Sequence, residues 1–95
     1  MAYQIVRTYS AGVFAGQTKI LSKDGKRVEI RNARRLWFWD GAASLSELAQ
    51  RGTSKPKKCK FPAPVDRLEV TEAIELIDVT DAARASIEDV PVWTE

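Results

Sequence analysis

Two arginines and two tryptophans crowd into Arg34-Arg35-Leu36-Trp37-Phe38-Trp39, the densest recognition chemistry in the chain. A guanidinium is a planar fork of donors matched to phosphate or carboxylate oxygens. An indole offers a flat stacking face and one N–H donor. Together they suit a ligand that joins an aromatic base to anionic groups. Read as a strand, Arg35, Trp37 and Trp39 share one face with Arg27, Glu29 and Arg31. Val28, Ile30, Leu36 and Phe38 share the other and are expected in the core. A bulge near Asn32-Ala33 would shift that register and carry Arg34 to the outer face. Tyr9-Ser10-Ala11-Gly12 is a second candidate, because small residues at a strand break can turn backbone N–H groups toward an anion. The expected ligand-binding set is therefore Tyr9, Ser10, Arg34, Arg35, Trp37 and Trp39.

A plainer reading competes with this one. The tryptophans could pack under a helix or in a subunit interface. Arg34 and Arg35 could pair with Glu69, Glu72 or Glu75, and residues 9–12 could be an ordinary turn.

Catalytic chemistry is harder to assemble. The chain has no histidine, which removes imidazole general bases, histidine-containing metal sites and the common serine triad. Its single cysteine, Cys59, has no histidine partner and no second thiol with which to form a disulfide. Asp24, Asp40, Asp66 and the later carboxylates lack metal-like spacing. The expectation is a protein that is not an enzyme, with no catalytic residue, no metal and no cofactor.

The elements that must position these residues follow from local pattern. Residues 3–9 and 13–21 are rich in β-branched and aromatic side chains and read as strands, with Gly16 inside the second marking a bulge or a close backbone approach. Asp24-Gly25 is a hairpin signal, and a long third strand runs from about Lys26 toward Trp39. Ser44-Leu45-Ser46-Glu47 matches a capping box and starts a helix that Gly52 stops. Thr53 to Pro64 is an extended basic loop with three prolines and four lysines. Residues 66–79 alternate as one half-buried strand, with Leu68, Val70, Ile74 and Leu76 inward. Thr80 caps a second helix from Asp81 to about Glu88, and Pro91 ends it. Val92-Trp93 is expected to dock on the body, with Trp93 as a core anchor. The order β-β-β-α-β-α predicts an α+β fold, a small antiparallel sheet of about four strands with two short helices.

Ninety-five residues make a single domain, 1–95, whose core is thin. A thin core and surplus tryptophans lead us to expect a homo-oligomer. Net charge is +2 but uneven: residues 1–60 carry 13 Lys/Arg against 4 Asp/Glu (+9), and residues 61–95 carry 2 against 9 (−7). Either basic and acidic strands pair within one sheet, or a basic face awaits an anionic partner. No apolar run is long enough for a membrane span and no signal peptide is evident, so no membrane partner and a cytoplasmic location are expected.

Thr8-Tyr9-Ser10-Ala11-Gly12-Val13-Phe14, the Asn32-Ala33-Arg34-Arg35-Leu36-Trp37-Phe38-Trp39 run with its Asp40-Gly41-Ala42, the Leu45-Ser46-Glu47-Leu48-Ala49 helix and the Val90-Pro91-Val92-Trp93 ending resemble a family of short uncharacterised bacteriophage proteins. The resemblance spans nearly the whole chain and implies expression in the host bacterial cytoplasm. It implies no activity and assigns no site residue. Three functions compete. One is a sponge that sequesters a nucleotide-derived immune signal, such as a cyclic oligonucleotide or an ADP-ribose derivative. The second is an adaptor or inhibitor that binds a host protein. The third is a nucleic-acid-binding accessory protein, against which the acidic C-terminal third counts.

Overall fold

The computed structural model describes residues 1–95. Five strands and two helices follow in the order β1 (Ala2–Thr8), β2 (Val13–Ile20), β3 (Val28–Arg35), α1 (Leu45–Arg51), β4 (Val65–Val70), β5 (Ala73–Asp78) and α2 (Asp81–Asp89). A single 3-10 turn at Pro56–Lys58 lies between α1 and β4. The expected α+β architecture holds, with one strand more than expected. No helix is long and apolar enough to cross a membrane.

Local chemistry explains most boundaries. In the β2–β3 hairpin Gly25 takes φ +77°, and the Asp24 carboxylate accepts from Ser22 Oγ at 2.6 Å and Lys26 N–H at 3.0 Å. Those bonds hold the Asp24 pKa below its ordinary value, the serine hydroxyl contributing most. Ser44 caps α1 by accepting from Glu47 N–H at 3.1 Å. The Glu47 carboxylate reaches back to accept from Ala43 N–H at 2.8 Å, which completes a capping box. Gly52 closes the helix at φ 76° and donates to the Leu48 carbonyl at 2.9 Å. Glycine suits that left-handed stop because it has no Cβ to clash. Thr80 caps α2 through Ala83 N–H at 3.1 Å and also donates to the Gln50 carbonyl at 2.7 Å, which ties the two helices together.

The sheet order is β4-β3-β2-β1-β5, antiparallel throughout. Its two outer strands are consecutive in sequence, joined only by Thr71-Glu72. A flat sheet would hold them roughly 19 Å apart at the usual strand spacing. The peptide steps from Val70 to Ala73 span at most about 11 Å. The sheet must therefore curl until its edges approach. At that closed end Tyr9 N–H donates to the Glu72 carbonyl and Ala73 N–H to the Lys26 carbonyl, both at 3.0 Å. The expected single strand over 66–79 is thus one chain direction shared between two edges, kinked at Thr71-Glu72.

Each face of the curled sheet carries a buried cluster. Val6, Phe14, Val28, Ile30, Ala33, Val70 and Ala73 form one cluster, drawn from all five strands with no helix covering it, so it fills the inside of the curl. Ile5, Ala15 and Leu36 form a second on the outer face, beneath Leu48 and Ala49 of α1, Ile87 of α2, and Cys59, Phe61 and Val90. Three expected core residues are outside, and Trp93 is one of them, half-buried and in neither cluster. Ile74 is pushed out by a bulge opposite Arg7-Thr8. Phe38 is exposed because β3 ends at Arg35 and the following segment leaves the sheet to bridge Lys60.

On the solvent side of β3 and β4 the charges cancel within and across the strands. Arg27–Glu69 (2.8 Å), Arg31–Glu29 (2.7 Å), Arg67–Glu29 (3.1 Å) and Arg67–Glu69 (3.6 Å) form one ladder, and Arg7 meets Glu75 at 2.9 Å across β1 and β5. Arg31 depresses the Glu29 pKa and Arg27 that of Glu69, each through a side-chain hydrogen bond above all. A carboxylate whose folded pKa is depressed stabilises the fold above its unfolded value and loses that contribution as pH falls through the folded one. We therefore expect the melting temperature to drop as pH falls below 4.5, the ordinary value for these groups, and Glu69→Gln to flatten that drop. A melting series over that range measures it; an unchanged acid limb in Glu69→Gln would mean the ladder has no part in it.

Candidate functional site

The geometry of the candidate residues is set by one bulge. Ala15 pairs with Arg34 and Gln17 with Arg31, so Gly16 alone faces Asn32-Ala33. Asn32 sits at φ 51°. That is a left-handed conformation, which asparagine tolerates better than most residues. A Cβ on Gly16 would lie 2.6 Å from Ile30 Cγ2 and 2.8 Å from the Arg31 carbonyl oxygen, so the bulge requires glycine there. Beyond the bulge the strand's alternation is reversed. Ala33 joins the inner cluster, and Arg34 and Leu36 turn to the outer face beneath the helices.

This corrects the expected placement of Arg34. The register shift turns it under the helix layer, to 7% exposure, rather than out to solvent. Its guanidinium donates to three backbone carbonyls, Ile87 at 2.9 Å, Phe61 at 3.1 Å and Pro62 at 3.2 Å, and lies 5.6 Å from the Phe61 ring centre. Burial lowers its pKa, with Tyr3 opposing the shift. Arg34 is a clasp joining β3, the end of α2 and the loop before β4. Beside it, Tyr3 is pushed up to about 12, by burial first and by Glu88 second, and stays a neutral phenol.

Arg35 leaves on the opposite side. Phe14 is its register partner, and the guanidinium lies 4.4 Å from the Phe14 ring centre while donating to the Ala11 carbonyl at 2.7 Å. The β1–β2 turn that supplies this carbonyl is held by Thr8, whose hydroxyl donates to the Gly12 carbonyl at 2.7 Å and accepts from Ala11 N–H at 2.9 Å. Arg35, Trp37 and Trp39 then line a half-open cleft of about 320 Å³ with Ser10, Gly12 and Val13. Four of the six candidate residues are thus brought together from two segments. Trp39 is half-buried against the outer cluster; Trp37 is 67% exposed. Ser10 turns its hydroxyl to the Glu72 carboxylate at 2.5 Å, so its side chain is already engaged.

Tyr9 does not join them. It is exposed and lies by Lys26, Glu72 and Ile74 near the closed end of the sheet. Neither Arg34 nor Arg35 pairs with Glu69, Glu72 or Glu75; other arginines take the Glu69 and Glu75 partners. Sequence reasoning missed Phe14, the platform beneath Arg35. Its identity was plain, but only the β2–β3 register places it there.

Chemically the cleft can stack a planar group on indole and offer the unused guanidinium donors to an anion. No cluster of three or more His, Cys, Asp or Glu side chains is close enough to hold a metal ion.

Residues 1–87 match the model of a protein family described as a domain of unknown function (DUF6948), and the chain belongs to that family. No curated protein and no solved structure matches the chain.

Proposed function

We propose that this member of the family is a non-enzymatic binding protein whose cleft takes a planar, anionic, nucleotide-like ligand. The convergence of Arg35, Trp37 and Trp39 on the Ser10–Val13 turn carries the reading. The cleft measures about 320 Å³. Small-molecule sites usually run from roughly 300 to roughly 1,000 Å³, so this one is at the lower end. It encloses one base or one ribose-phosphate rather than a whole dinucleotide. A larger ligand needs a second wall, and a second copy of the chain, docking over the exposed Trp37, would supply it. The motif resemblance to bacteriophage proteins supports a finer reading: a phage protein in the host cytoplasm that sequesters a nucleotide-derived immune signal.

Arg35→Ala is expected to weaken ligand binding at least about tenfold, the cost of one charge-assisted contact of roughly 1.5–3 kcal/mol. Trp37→Ala should remove stacking of similar size. Both side chains are exposed, so both variants should stay folded and lose less than about 1 kcal/mol of stability. Calorimetry against cyclic dinucleotides and ADP-ribose derivatives measures the effect, and light scattering reads the oligomer. Silence across that panel, or full affinity in a folded Arg35→Ala protein, would overturn the nucleotide reading.

A second reading rests on a specific observation. Trp37 and Phe38 are adjacent and large, and they are 67% and 48% exposed. Exposed neighbouring aromatics have the composition of an interface hot spot. An adaptor that binds a host protein would use them directly, and that reading predicts a monomer with no small-molecule heat.

A further inference from the structure

The lysines between α1 and β4 have no ionic partners. Every ion pair in the protein uses an arginine in the sheet, next to it or in α2: Arg7, Arg27, Arg31, Arg67 or Arg84. Lys55, Lys57, Lys58 and Lys60 are all exposed, and no carboxylate lies within ion-pairing distance of any of them. The positive charge left after the sheet neutralises itself is therefore densest on this loop.

The loop is held in place. Pro56–Lys58 forms a 3-10 turn with Pro56 at its start, and the buried Cys59 sulfur faces the Asp40 carbonyl at 3.5 Å. Lys60 pairs with Phe38 through two backbone hydrogen bonds, at 2.8 and 3.3 Å, and Trp93 N–H donates to the Phe61 carbonyl at 3.0 Å. Three extended segments thus lie side by side as a ledge. The Lys60 ammonium sits 5.9 Å from the Phe38 ring centre and 5.5 Å from that of Trp93. Cation–π attraction fixes the charge between two rings, and Phe38 still keeps about half its surface in solvent. Pro56, Lys57, Val92 and Trp93 border a shallow depression of about 240 Å³ alongside.

We infer that this ledge binds single-stranded nucleic acid. Backbone phosphates would meet Lys57, Lys58 and Lys60, and unstacked bases would lie on Phe38 and Trp93. Unpaired cations beside aromatic faces are the arrangement that sequence-tolerant single-strand binding uses. A duplex fits less well, because the only helical turn in the loop is three residues long and too short to fill a major groove. The surface is separate from the Arg35 cleft, whose lining includes none of Lys57, Lys58, Lys60, Phe38 and Trp93.

Fluorescence anisotropy with short labelled oligo-dT and oligo-U tests this, with a duplex and anionic lipid vesicles as competitors. Affinity for one or both single strands should fall with salt between about 50 and about 200 mM. The triple variant Lys57→Gln, Lys58→Gln, Lys60→Gln should weaken binding at least about tenfold and reduce the logarithmic salt slope by roughly 2, at about 0.7 per phosphate contact. Phe38→Ala should cost about fivefold or more and leave the slope unchanged. Arg35→Ala should bind as the parent does, which separates this surface from the cleft whatever the cleft's ligand proves to be. Preference for dT or U tells DNA from RNA. No anisotropy change at low salt would overturn the proposal. So would preference for duplex or vesicles, or loss of binding in Arg35→Ala with none in the lysine triple variant.

Discussion

Arg34→Ala is expected to lower the unfolding free energy by about 3–5 kcal/mol, from buried carbonyls left without a donor at roughly 1–3 kcal/mol each together with a cavity. The substitution strips donors from the carbonyls of Ile87, Phe61 and Pro62, which stand where three segments meet. It also leaves a void beside the Phe61 ring, which is fully buried. Against a total stability of roughly 5–14 kcal/mol for a domain of this length, the loss is a large share of the whole. Lysine should not rescue it, because a point ammonium cannot address three carbonyls arranged around a planar fork. Arg35→Ala, one residue on, should cost less than about 1 kcal/mol, as surface substitutions usually do. Its side chain is exposed and gives up one carbonyl bond and a ring contact. Urea unfolding of the two variants measures the contrast. Equal stabilities would mean that the clasp contributes nothing.

Gly16→Ala is expected to be the next most damaging change, at about 2–3 kcal/mol, the upper part of the range for overpacking. The added methyl would meet Ile30 Cγ2 at 2.6 Å, the Arg31 carbonyl oxygen at 2.8 Å and the Ala33 Cα at 3.3 Å. Two of those atoms belong to the neighbouring strand's backbone and cannot rotate away. The strain falls on the bulge that decides which face Arg34 and Arg35 take, so ligand affinity in the cleft should fall along with stability. Gly25 makes a useful control, since a Cβ there meets nothing within 4 Å and only its φ of +77° opposes alanine. Thermal melting of the two variants ranks them. A Gly16→Ala protein no less stable than Gly25→Ala would show that the bulge can relax.

Much of the fold could be read locally. The Asp24-Gly25 turn, the Ser44–Glu47 capping box with Gly52, and the Thr80 cap each rest on bonds spanning only a few residues. Gly16 and Asn32-Ala33 each signalled an irregularity, and they face each other in the same one. Where that irregularity sends Arg34 lay beyond the pattern, because alternation tells which residues share a face but not which face a helix will cover. For the cleft, the Arg35, Trp37 and Trp39 spacing was visible in the chain. The turn they meet, Ser10 to Val13, is far from them in sequence and is brought in by the β2–β3 pairing.

By itself, then, the sequence determined an α+β domain with capped helices and an antiparallel sheet, because turns, caps and period-two alternation are short-range. It also determined that a large excess of cationic side chains lies before residue 61. Only the tertiary structure decided where those cations act. Arginines that read alike in the chain became a solvent ladder with Glu29 and Glu69, a buried clasp at Arg34 and a cleft wall at Arg35. The lysines of the loop after α1 were left unpaired, because the acidic strands β4 and β5 take opposite edges of the sheet and engage their carboxylates there. Strand order is a long-range choice, settled by burying a cluster on each face of a curled sheet at once, and no local pattern encodes it.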